Sequence, residues 1–184
     1  NDVIVESPDE GYDVAESIID YTMADGLDFV YMTGYTISNT VIGNSGDNGI
    51  YGQQGVASSM FGMGGNDSLA GFWYADTLAG GTGDDVLSGG YGGDTYVFSA
   101  GDGNDVIHEV EGTDRILFDA TVESASVIYV KEGEHLGIYY NEGLDKITIP
   151  AYFRVPATPF DPVRVVESVE FSDSTVHDVA YILS

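Results

Sequence analysis

Through the middle of this 184-residue chain an apolar residue returns at nearly fixed intervals. Val41, Ile50, Met60, Leu69, Leu78, Leu87 and Tyr96 are separated by 9, 10, 9, 9, 9 and 9 positions. That period fits neither an amphipathic helix, nor a heptad, nor an alternating strand. It fits a strand of about three residues and a turn of about six, wound as a coil. The best-formed units are Leu78-Ala-Gly-Gly-Thr-Gly-Asp-Asp-Val86 and Leu87-Ser-Gly-Gly-Tyr-Gly-Gly-Asp-Thr95. Each reads apolar-x-Gly-Gly-x-Gly-x-Asp-x. Met60-Phe-Gly-Met-Gly-Gly-Asn-Asp-Ser68 follows it with Met63 at one glycine position.

The pattern has a physical logic. Inward apolar residues stack on one another, and glycine permits the tight turns between them. Alternate turns fall on opposite sides, so same-side turns lie two repeats apart in sequence and about 4.8 Å apart in space. Aspartates stacked at about 5 Å repel by roughly 3 kcal/mol at an effective dielectric of about 20. A column of them cannot stack bare. A hard cation between turns removes the conflict, and Ca²⁺ accepts about six to eight oxygens, backbone carbonyls included.

Charge points the same way. The chain has 5 Lys+Arg against 31 Asp+Glu, a net charge of −26. Residues 1–114 hold 20 acidic and no basic residues, and all five basic residues fall in 115–184. Nucleic-acid binding needs a basic footprint and is excluded. An anionic membrane surface is disfavoured, and no apolar run approaches the roughly 20 residues of a spanning helix. Such charge ordinarily means disorder, yet 43% of residues are hydrophobic and 12% aromatic. The chain is therefore expected to fold once its charge is neutralised. With no cysteine, disulfides and Cys-ligated zinc or iron–sulfur sites are excluded. Asn1-Asp2-Val3 opens mid-pattern, without Met or a signal-peptide pattern, as a piece of something longer would.

Gly80-Gly81-Thr82-Gly83-Asp84-Asp85 and Gly89-Gly90-Tyr91-Gly92-Gly93-Asp94 resemble the RTX nonapeptide, the haemolysin-type calcium-binding repeat. The resemblance implies an all-β fold, a right-handed parallel β-roll or β-helix with about three to five calcium ions between its turns. In this register the Asp position lies two before each next apolar residue. One side carries Asn48, Asp67, Asp85 and Asp105; the other carries a degenerate turn at Ala57 or Ser58, then Asp76 and Asp94. Calcium sites are expected at the pairs Asp67/Asp85, Asp85/Asp105 and Asp76/Asp94, with a weaker one at Asn48/Asp67. Carbonyls of Gly62, Gly65, Gly80, Gly81, Gly83, Gly89, Gly90 and Gly92 would complete the shells. In Gly71-Phe72-Trp73-Tyr74-Ala75-Asp76, Tyr74 stands at the fourth position, where positive φ is costly. That weakens the Asp76/Asp94 site. The run Phe72-Trp73-Tyr74 reads as packed against the terminal segments; the other reading is an exposed platform for sugar or a partner.

Three segments follow: glycine-poor β coils over 1–40, the calcium-binding roll over 41–110, and a β-rich C-terminal cap over 111–184. The first has strands at Val3–Val5, between Tyr12 and Met23, and at Phe29–Met32, with turns at Ser7–Gly11, Ala24–Leu27 and Gly34. The third shows strands at Arg115–Phe118, Val127–Lys131, Leu136–Tyr140, Ile147–Phe153 and Val163–Phe171. Pro150, Pro156, Pro159 and Pro162 punctuate it, and a short helix near Val176–Leu183 closes it. Ile147-Thr-Ile-Pro-Ala-Tyr-Phe153 and Val166-Glu-Ser-Val-Glu-Phe-Ser-Asp-Ser-Thr-Val176 resemble the haemolysin-type calcium-binding-related C-terminal domain. Ser172, Ser174 and His177 stand where that family favours Ala, Gly and Trp. The resemblance implies an uncleaved type I export signal within 125–184, closing on Asp178–Ser184.

No constellation for catalysis stands out. His108, His135 and His177 lack zinc-site spacing, and Ser58, Ser59, Ser88 and Ser172 lack a nucleophile-elbow setting. The sequence thus reads as a non-enzymatic, calcium-dependent folding and secretion module of a large extracellular or bacterial cell-surface protein. Its expected partners are calcium and the type I secretion machinery, and it is expected to be a monomer. The alternatives are a calcium-stabilised adhesin or glycan-binding module, or the noncatalytic tail of a secreted exoenzyme.

Overall fold

The computed structural model describes residues 13–17, 19–33, 38–153 and 166–182. Its strands alternate between two sheets, one strand per half-coil. The first stacks β1 (Val14–Ser17), β3 (Phe29–Met32), β5 (Gly49–Tyr51), β7 (Ser68–Phe72), β9 (Val86–Gly92) and β11 (Asn104–Ile107), all parallel. The second stacks β2 (Tyr21–Thr22), β4 (Ser38–Ile42), β6 (Ala57–Gly64), β8 (Thr77–Thr82) and β10 (Thr95–Phe98), also parallel. This is a parallel β-solenoid of the β-roll kind.

The apolar period is what builds it. Val30, Ile50, Leu69, Leu87 and Ile107 form a register-matched column in the first sheet, each 0–1% exposed. Val41, Met60, Leu78, Tyr96 and Ile116 form its counterpart in the second, all at 0%. Both columns belong to one core. Burying each such side chain stabilises the fold by about 1.5–3 kcal/mol. A nine-residue step lands each successive apolar residue on the opposite sheet.

Parallel stacking continues past residue 110, where the thinning of glycine suggests its end. β13 (Arg115–Phe118) lies on β10, and β17 (Ser168–Phe171) lies on β13; β16 (Asp145–Ile149) lies on β11. A two-residue strand, β12 (Glu111–Gly112), pairs with β9. The sheets then change sense. β14 (Ile128–Glu132) and β15 (His135–Tyr140) run antiparallel onto β16, and β18 (Val176–Asp178) runs antiparallel onto β17. Such hairpins end the stack without leaving a parallel edge open. The core turns aromatic here: the Phe118 ring lies 4.9 Å from Tyr140 and 5.4 Å from Phe171.

The helix expected near Val176–Leu183 is shorter than its sequence suggests. β18 takes Val176–Asp178, with only His177 of the three buried, and α1 keeps Val179–Ile182. Pairing with β17 outweighs helix propensity there. The expected strand at Val3–Val5, the turns at Ser7–Gly11 and Gly34, Pro156, Pro159 and Pro162, and the Val163–Val165 start of the last long strand lie outside the described residues.

Candidate metal centres

In the glycine-rich coils, each aspartate two positions before an inward apolar residue ends up buried in a turn. Asp67, Asp76, Asp85, Asp94 and Asp105 are 0–2% exposed, and Asn48 is 4%. On one side, Asn48 N donates to Asp67 Oδ1 at 2.7 Å, Asp67 N to Asp85 Oδ1 at 2.7 Å, and Asp85 N to Asp105 Oδ1 at 2.9 Å. On the other, Ser58 N donates to Asp76 Oδ1 at 2.6 Å and Asp76 N to Asp94 Oδ1 at 2.8 Å. The structure thus makes ladder neighbours of all four pairs the repeat register joins.

Only half of each carboxylate is satisfied by these bonds. Oδ2 of Asp67, Asp76, Asp85, Asp94 and Asp105 is buried with no hydrogen-bond partner. Buried polar atoms are nearly always paired, and an unpaired buried charge is far more costly than an unpaired neutral group. Five such atoms in register are a built feature. Burial accordingly pushes the carboxyls up, to about 7 for Asp67 and Asp76, about 6 for Asp85 and Asp94, and about 8 for Asp105, with neighbouring carboxylates adding to the rise. Oxygen donors that are buried, anionic and unpartnered fit a hard divalent cation such as Ca²⁺.

Glycine makes room for the carboxylates. A Cβ at Gly80 would overlap the Asp85 carboxylate, and the same holds for Gly62 with Asp67, Gly71 with Asp76 and Gly89 with Asp94. Gly65, Gly81, Gly83, Gly90 and Gly92 all have positive φ, and each packs against a backbone carbonyl of the coil before it. At the second turn position Gly81 has φ +96° and Gly90 +99°, whereas Met63 and Phe72 hold +82° and +87° there without being glycine. Strain in the degenerate turn therefore falls on Phe72; Tyr74 is not among the positive-φ residues. The left-handed region costs an L-residue about 1–2 kcal/mol, against about 0.5–1 kcal/mol for glycine's extra unfolded entropy. Met63 is 57% exposed, so little packing is at stake. Met63→Gly is expected to stabilise the calcium-loaded protein by about 0.5–1 kcal/mol in thermal melts.

Among the described residues, two of the three side chains in the aromatic run are open. Trp73 is 62% exposed and Tyr74 50%, with the Trp73 ring 6.1 Å from that of Tyr91. Phe72 alone of the three is half-buried. Tyr74 and Trp73 sit at the bend of the turn, where side chains point away from both inner columns, so an open aromatic surface results.

The side-two ladder extends beyond the residues the repeat pattern assigns. Asp94 N donates to Asp114 Oδ1 at 2.8 Å, and Asp114 N donates to Glu167 Oε2 at 2.6 Å. Asp114 was legible: it lies two before Ile116, the offset that Asp94 keeps from Tyr96. Glu109 also enters this turn, 4% exposed, with burial pushing its carboxyl up to about 9. An exposed outer rank runs beside the side-one ladder. Asn66 N donates to Asp47 Oδ1, Asp84 N to Asn66 Oδ1, and Asn104 N to Asp84 Oδ1, at 2.6, 2.8 and 2.9 Å. Asp and Asn alternate along it, which keeps like charges two coils apart.

No curated protein matches the chain. Residues 33–56 and 70–107 match the family model described as the RTX calcium-binding nonapeptide repeat, in four copies. The matched stretches are the coils whose turns carry most of the carboxylate ladders, and the glycine cradles beneath those carboxylates give the match its physical content. These two stretches are thus RTX calcium-binding repeats, wound as a parallel β-roll.

Proposed function

We propose that this chain is a calcium-dependent folding module of a larger secreted protein, exported through a type I pathway as an extended acidic polymer and folded outside the cell. The observation that carries the reading is the row of five buried, unpartnered aspartate oxygens stacked in register along the turns. Asp67, Asp85 and Asp105 on one side, and Asp76 and Asp94 on the other, would hold the ions, with turn carbonyls completing the shells. A bound Ca²⁺ supplies positive charge between coils that would otherwise repel.

Each site draws on two successive coils, so it does not exist in the unfolded chain, and binding is coupled to folding. Extracellular calcium modules bind with Kd on the order of 10⁻⁴ to 10⁻³ M. Cytosolic calcium lies far below that, so a chain of net charge −26 stays extended before export. The export signal is assigned to 125–184, where the antiparallel hairpins that close the stack also lie. Circular dichroism during calcium titration tests the proposal. Strand signal is expected to appear cooperatively at a free concentration on the order of 10⁻⁴ to 10⁻³ M. A full strand spectrum at submicromolar calcium and neutral pH would refute it.

A further inference from the structure

We propose that Asp94, Glu109 and Asp114 form a calcium site of three carboxylates, one that the nonapeptide motif does not specify. Residues 109 and 114 lie beyond the stretch matched by the repeat family, which ends at 107. In the turn that closes on Asp114, Glu109 holds the place that Gly62, Gly71, Gly80 and Gly89 hold in the preceding turns, five residues before the carboxylate. In those turns even a single added carbon would overlap the aspartate. Here a whole glutamate side chain is directed inward.

One carboxylate oxygen from each of the three residues lies within 4.8 Å of the other two. The residues are 0%, 4% and 2% exposed. Asp94 Oδ2 and Glu109 Oε2 are buried without any hydrogen-bond partner. Other oxygens of these residues accept hydrogen bonds. Tyr96 hydroxyl donates to Glu109 Oε1 and itself accepts from Gly89 N at 2.8 Å. Asp94 N holds Asp114 Oδ1 at 2.8 Å. The ion pairs seen among the described residues, Arg115–Glu170 and Lys146–Glu132, lie elsewhere. Three buried anions at this spacing need either a cation or shared protons. The orphaned oxygens, held open by bonds on their opposite sides, favour the cation.

Affinity for calcium rises with the number of anionic ligands. At most two carboxylates meet at a repeat pair and three meet here, so this site fills first. It also fastens the repeats to the C-terminal strands, because Asp114 N donates to Glu167, which immediately precedes β17. The inference rests on the calcium reading of the repeats for its choice of ion.

Isothermal titration of the calcium-stripped chain with calcium alone tests it. The wild type is expected to show one class of site about tenfold tighter than the rest. Glu109→Gln should lose that class while the weaker repeat sites and the calcium-induced strand signal persist. Glu109→Gly restores the repeat's own glycine and should give the same loss, which guards against misfolding of the glutamine variant. Wild-type isotherms in both variants would overturn the site while leaving the repeat reading intact. So would a gain in thermal stability in Glu109→Gln with no change in binding, the mark of a shared proton. A wild-type chain that takes up no calcium at all overturns both readings.

Discussion

Stripped of calcium, the roll is expected to unfold at about pH 8 and to regain its strands when acidified to about pH 5 without any metal. The reversal follows from the ladders. Asp67, Asp76, Asp85, Asp94 and Asp105 have carboxyls that burial raises from 3.8 to between about 6 and about 8 in the fold. Each binds its proton more tightly folded than unfolded, so folding takes up protons. Stability from this source is fully present below the unfolded value near 3.8 and drains away as pH rises through the folded values. Each tenfold change in proton affinity corresponds to about 1.4 kcal/mol, so a carboxyl moved from 3.8 to about 7 costs the metal-free fold about 4 kcal/mol at pH 8. Whole domains are stable by only about 5–15 kcal/mol. Two or three such groups suffice to abolish the fold. Far-UV dichroism against pH, in calcium-stripped buffer and in millimolar calcium, gives the comparison. The metal-free curve should fall from pH 5 to 8 and the calcium curve should stay level. A metal-free strand signal that is flat across that range would contradict the account.

Some of this architecture could be read from residue spacing, and the reasons are local. Leu69, Leu78, Leu87 and Tyr96 keep an unbroken step of nine, and a step of nine is enough to fix which sheet each enters. Asp67, Asp85 and Asp105 each stand two before an inward apolar residue (Leu69, Leu87 and Ile107), so their shared side was legible even where two extra residues intrude before Asp105. What was not legible depends on contacts between distant segments. The coil past residue 110 has Glu109 and Val110 where glycines would mark a turn, yet β13 stacks on β10 because Ile116 and Phe118 continue the inner column. Glu167 joins the ladder from 53 positions away in sequence, and no short-range period announces that. The strain at Phe72 in place of Tyr74 is likewise a matter of which turn position takes positive φ, which spacing alone does not reveal. Trp73 has no apolar column to join, and its exposure follows from position in the coil rather than from hydrophobicity.

Replacing Asp85 with asparagine is expected to change stability in opposite directions with and without calcium. Asp85 stands mid-ladder: Oδ1 accepts from Asp67 N at 2.7 Å, and its own N–H donates to Asp105 Oδ1 at 2.9 Å. Asparagine keeps the accepting oxygen and the backbone bond, and the fold already accommodates one at this position of the same side. Asn48 accepts from Asn44 N at 2.8 Å and donates through Nδ2 to Leu27 O at 3.2 Å. The variant therefore removes charge while keeping shape. Without calcium at about pH 8, it relieves a carboxyl raised from 3.8 to about 6, a gain of about 3 kcal/mol. With calcium, both flanking pairs lose an anionic ligand, and each tenfold loss of affinity at saturating metal costs about 1.4 kcal/mol per site. Urea denaturation of wild type and Asp85→Asn, in stripped buffer at a series of pH values from about 5 to 8 and again in millimolar calcium, should give curves that cross between the two conditions. If Asp85 served only to shape its turn, the two shifts would share a sign. Opposite signs require that the carboxylate be a liability to the bare protein and an asset only beside a cation.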